Sequence, residues 1–102
     1  MKEIKRATDI IKANLREARD YIEEAYRLRD VSRSTADWCK EMAVGHMAFN
    51  TKGHAIVEQL IKTAPTADKS ELVPGMLAVY SLIHADLAAE AAEVRAMIDT
   101  YK

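Results

Sequence analysis

The chain has 102 residues, 49% of them apolar and 30% charged, with a formal net charge of −1; this is the size of one folded domain, and the balance excludes a disordered chain. The charge is spread at about +1 over residues 1–31, +1 over 32–64 and −3 over 65–102, so no segment carries the clustered Lys and Arg that nucleic acid requires. With only 3 Gly, 2 Pro, one Phe and one Trp, the chain is expected to form long elements around a core of Leu, Ile, Val, Ala and Met.

In the first segment Ile4, Thr8, Ile11, Leu15, Ala18, Ile22 and Ala25 recur at alternating spacings of four and three, and Ala7, Tyr21 and Leu28 widen the stripe. That spacing predicts a helix from about 3 to 30 with one buried face. Lys5 with Asp9, Arg16 with Asp20 and Glu23 with Arg27 stand at i,i+4 on the other face, as solvated ion pairs do. Residues 31–34 read as a tight turn, with Ser34 as the cap of a second helix and Asp37 three positions on.

The second helix is expected over 34–63, with Pro65 as its stop. Trp38, Met42, Gly45, Phe49, Ile56 and Leu60 share one face; Cys39, His46, Gly53 and Leu60 form a neighbouring line at i,i+7. Gly45 and Gly53 each cost about 1 kcal/mol inside a helix relative to Ala, which points to close packing or a kink. A linker follows from Ala64 to about Ser70, and the third helix, about 70–101, starts between Asp68 and Pro74. Its lines are Tyr80, Leu87, Val94 and Tyr101, flanked by Met76, Ile83, Glu90 and Met97 and by Leu77, His84, Ala91 and Ile98. The expected fold is all-α: residues 1–102 as a single antiparallel up-down bundle of three long helices, open to completion by dimerisation.

The third helix is apolar beyond one stripe. Ala78, Ala85 and Ala92 make a second line, and Leu82, Ala89 and Ala96 a third. Small residues let another helix approach closely, so Gly45, Leu82, Ala85, Ala89, Ala92 and Ala96 are the expected contacts of a homodimer.

Candidate chemistry is sparse. His46 lies beside the apolar face of the second helix, His84 flanks that of the third, and His54, with Asn50 and Glu58 at i−4 and i+4, reads as a surface residue. Counting antiparallel from the two turns puts His46 level with Ala18 and Glu90, with Glu17 and Tyr21 nearby. A buried carboxylate needs a partner, which a protonated His46 or a divalent metal ion would supply. Cys39 is a buried free thiol in this reading, since His46 stands about 10 Å away in helical rise. No nucleophile–base–orienter set and no phosphate-cradling glycine loop can be assembled, so an enzyme is the least supported class. Trp38, Met42, Met47, Phe49, Met76 and Met97 could instead line a cavity for a small apolar ligand.

The run from Trp38 to His46, followed by Met47, Ala48 and Phe49, resembles the second helix of ferritin-like, rubrerythrin-type bundles, and Glu24-Ala25-Tyr26 resembles their Glu-bearing first helix. In that family an aromatic residue precedes a Glu-x-x-His pair that binds a di-iron centre. Here the position three before His46 is Ala43, and Glu41 stands five before it. The resemblance implies descent without the carboxylate-bridged iron, with His46 and Glu24 as the residues that carry over by position.

The expected role is therefore self-association or protein binding, with no cofactor, no nucleic acid and no membrane. The alternative is a divalent metal ion held by His46 and Glu90, joined by Glu24 or His84. A single cysteine, a polar N-terminal run and no apolar stretch of about 20 residues make the cytoplasm the expected location.

Overall fold

The computed structural model describes residues 2–67 and 75–102. Among them are three helices and no strand: α1 (Lys2–Leu28), α2 (Arg33–Ala67) and α3 (Met76–Thr100). They form an elongated up-down bundle measuring 56 × 16 × 14 Å. Hydrogen bonds between the helices give the directions. Asn14 meets His46 and Asn50 meets Ile11, so α1 and α2 are antiparallel. Arg19 meets Glu93 and Tyr26 meets Met97, so α3 runs parallel to α1. No described helix is long and apolar enough to cross a membrane.

The buried residues of α1 are Ile4, Thr8, Ile11, Leu15, Ala18, Ile22 and Ala25, the stripe read from its spacing. In α3 Leu87, Ala91, Val94 and Ile98 are buried, and Tyr101 follows them. Helix α2 departs from expectation. Its inward residues are Ala36, Cys39, Ala43, Met47, Asn50 and Val57. The face carrying Trp38, Phe49 and Ile56 points outward, those three side chains being 58%, 60% and 55% exposed. Small inward residues let α2 nestle into the two-helix corner made by α1 and α3, and the bulky stripe is left on the far side.

The α1–α2 turn is tight. Val31 N and Ser32 N both donate to Leu28 O. Helix α2 begins one residue earlier than expected: Ser32, not Ser34, takes the cap position, its carbonyl accepting from Ala36 N and its hydroxyl bonding Thr35 Oγ1 at 2.8 Å. Asp37 faces Arg33 at 3.1 Å and accepts a hydrogen bond from Tyr101 OH at 3.1 Å. Helix α2 also runs through Pro65 to Ala67; a proline in the final turn deletes one helical hydrogen bond without stopping the helix. The start expected for the third helix, between Asp68 and Pro74, lies outside the described residues. Gly75 precedes α3 with φ 94°, a conformation glycine adopts without a steric penalty.

The two glycines of α2 differ. A Cβ on Gly53 would stand 2.9 Å from Ile11 Cγ1, so this glycine lets α1 and α2 approach. A Cβ on Gly45 would meet nothing within 4 Å.

Candidate functional site

The outward stripe of α2 and the adjoining edge of α1 make one continuous open face. Towards the α1–α2 turn lies a shallow groove of about 440 Å³ bordered by Asn14, Glu41, Met42, Gly45, His46 and Phe49. Beyond Phe49 it deepens into a second, about 340 Å³, whose walls include Ala7, Ile10, Phe49, Gly53 and Ile56. Ile10 is itself 51% exposed. Isolated exposed apolar residues are ordinary; here several adjoin one another along a concave strip between two helices.

Polar groups sit at the floor. His46 is held on three sides: Asn14 Nδ2 donates to its Nδ1 at 2.9 Å, Glu17 Oε2 stands 3.4 Å from its Nε2, and the Tyr21 ring stacks on it with centroids 5.4 Å apart. With Nδ1 accepting, the proton of the neutral ring is on Nε2, facing Glu17. Asn50 donates from Nδ2 to Ile11 O at 3.3 Å, while Asn14 Oδ1 and Asn50 Oδ1 are buried with no hydrogen-bond partner.

The metal-site candidates separate into different partnerships. His46 takes Glu17 and Tyr21 as neighbours, as the register count allowed. Glu90 faces Arg19 at 3.4 Å, and Arg19 also binds Glu93. Glu24 pairs with Arg27, whose hydrogen bond holds the Glu24 carboxyl below its ordinary range. His84 meets His54, with Nδ1 atoms 3.3 Å apart. His54 is thus half-buried between α2 and α3 rather than on the surface, and burial, with His84 and Arg95 adding, pulls its pKa below the ordinary imidazole value. No cluster of three or more His, Cys, Asp and Glu suited to a metal exists among the described residues. Cys39 is buried and free.

The expected dimer contacts also separate. Gly45 borders the α1–α2 groove. Leu82, Ala85, Ala89, Ala92 and Ala96 are exposed on the side of α3 opposite Leu87, Ala91, Val94 and Ile98. Of the residues considered for a ligand cavity, Met42 and Phe49 line the open groove and Met47 is in the core. Sequence reading had no signal for Ile10, which falls outside the α1 stripe, nor for the meeting of His54 with His84, which depends on the rotation of α2.

Comparison with known proteins finds no matching family model, no similar curated protein and no similar solved structure.

Proposed function

We propose that this protein acts by self-association, two copies packing through the open face of α1 and α2 to complete a larger helical bundle. The observation that carries the reading is the bulky apolar set Ile10, Trp38, Phe49 and Ile56, each more than half exposed and gathered on one face. The two adjoining grooves of about 440 and 340 Å³ between α1 and α2 give a second copy a concave surface to fill.

Charge favours a second copy laid antiparallel. Glu17 and Glu41 are exposed at the end of the face near the α1–α2 turn, and Arg6 and Lys52, with Glu3 beside Arg6, are exposed towards the other end. Asn14 and Phe49, common to both grooves, lie near the midpoint. A two-fold axis there sets the acidic end of each copy over the basic end of the other, and the contact is self-complementary as an isologous interface must be. A buried free thiol fits a reducing compartment such as the cytoplasm.

Native mass spectrometry of untagged protein tests the reading. The unaltered chain should be a dimer. Ile10→Asp with Phe49→Asp should give a monomer with unchanged helical circular dichroism, while Ala85→Asp, on the outer side of α3, should leave the dimer intact. A monomeric unaltered chain, or a dimer that survives the double variant, overturns the assignment; so does a dimer lost in Ala85→Asp.

A further inference from the structure

We propose that His54 and His84 form a two-imidazole site for a divalent transition-metal ion, held between α2 and α3 with water completing the coordination. The site is separate from the association face and does not depend on it.

The spacing is the first reason. Zinc takes histidine nitrogens at about 2.0–2.1 Å in tetrahedral geometry, so two such nitrogens stand about 3.3 Å apart along an edge of the tetrahedron. His54 Nδ1 and His84 Nδ1 are 3.3 Å apart. The second reason is orientation. The ring centroids are only 4.8 Å apart and the planes are inclined by 53°; rings meeting head-on at that nitrogen separation would hold their centroids farther apart. The two rings therefore meet at a bend rather than head-on, and a small rotation of the rings would aim both Nδ1 lone pairs at one ion. The third reason is the choice of atom: Nδ1 of each ring faces the other ring, while His54 Nε2 is buried on the far side.

A metal displaces protons from its ligands, so Zn²⁺ should bind more weakly as the pH falls. Paired imidazoles select zinc, copper or nickel over magnesium and calcium, which prefer oxygen. One charge opposes the ion: Arg95, whose guanidinium donates to Thr51 Oγ1 at 2.9 Å, is near enough to depress His54 as well. With two protein ligands and that cation nearby, binding is reversible and chelator-sensitive, unlike a closed four-ligand structural site.

The placement gives the ion a structural consequence. From Met76 to Asp86 no residue of α3 is fully buried, so this half of the helix is held weakly. A metal across His54 and His84 ties it to α2.

The test uses the full chain, stripped with chelator and titrated with Zn²⁺ alone. Imidazole ¹⁵N spectra of the unaltered protein should show the Nδ1 signals of His54 and His84 moving together, saturating at one ion per chain, with His46 still. Zn²⁺ should raise the thermal midpoint of the unaltered chain and of His46→Gln, and should not raise that of His54→Gln or His84→Gln. Mg²⁺ should move nothing. Movement of His46 in place of the pair, or no movement with Zn²⁺ in large excess, overturns the proposal, and this readout stands even where a variant fails to fold.

Discussion

At the scale of single residues, the histidines and buried amides define how this molecule responds to its solvent. His54 is depressed by burial, so the folded state resists its protonation while the unfolded chain accepts a proton near pH 6.5. The sign follows: stability is complete above about pH 6.5 and falls as the pH drops through and below it. Urea midpoints measured in chelator from pH 7.5 down to pH 5.5 should decline, and His54→Gln should flatten the decline; an equal slope in that variant would assign the effect elsewhere. Asn50 is 1% exposed, and its Oδ1 lacks a partner. An unmade buried hydrogen bond costs about 1–3 kcal/mol. Asn50→Leu should therefore stabilise the chain, by about 1 kcal/mol in denaturant unfolding, and a loss of that size instead would mean that the amide oxygen is satisfied in solution. Neither property could be read from the sequence, where His54 reads as a surface residue and Asn50 as its i−4 neighbour. Both depend on which way α2 is turned.

At the scale of elements, α1 and α2 make opposite cases. The α1 stripe is unambiguous because its apolar residues fall on one face and ion pairs such as Lys5 with Asp9 fall on the other. Helix α2 carries two apolar faces, one of bulky residues and one of small ones, and hydrophobicity alone favours the bulky face as the core. Packing decides otherwise, because Ala36, Ala43 and Gly53 allow close approach where Trp38 and Phe49 would hold the helices apart. The glycines should show this directly. Gly45→Ala gains the ordinary helix propensity of alanine, about 0.5–1 kcal/mol, with no contact to lose. Gly53→Ala should destabilise by about 1 kcal/mol or more, since its methyl meets Ile11 at 2.9 Å and overpacking outweighs the propensity gain. Equal midpoints for the two variants in chemical denaturation would contradict the close α1–α2 approach. Leu15→Ala, at 1% exposure in the shared core, should cost about 2–5 kcal/mol.

At the scale of the whole molecule, three helices cover one another on their inner faces and leave the α1–α2 face without a fourth helix. The proposed two-fold packing covers it, and its electrostatics add a further expectation. Oppositely charged ends that meet across an exposed rim are screened within about 10 Å at 0.1 M salt, so raising ionic strength should weaken the dimer mainly through a slower association rate. Dilution across the dissociation range should shift the emission of Trp38, the sole tryptophan, to longer wavelength as the face opens to water. Emission independent of concentration would place Trp38 outside the contact.

The sequence by itself determined the helical class, the three-element order, the buried stripe of α1 and the buried line through Leu87 and Val94 of α3 to Tyr101 just beyond it. Each of these follows from local periodicity, and periodicity survives without knowledge of the partner helix. The tertiary structure alone decided the rotation of α2, and with it the exposure of Phe49 and Ile56, the hydrogen bond of Asn14 to His46 and the meeting of His54 with His84. An apolar stripe says that a helix must be covered; when a helix carries two, only the shape of its neighbours selects which one they cover.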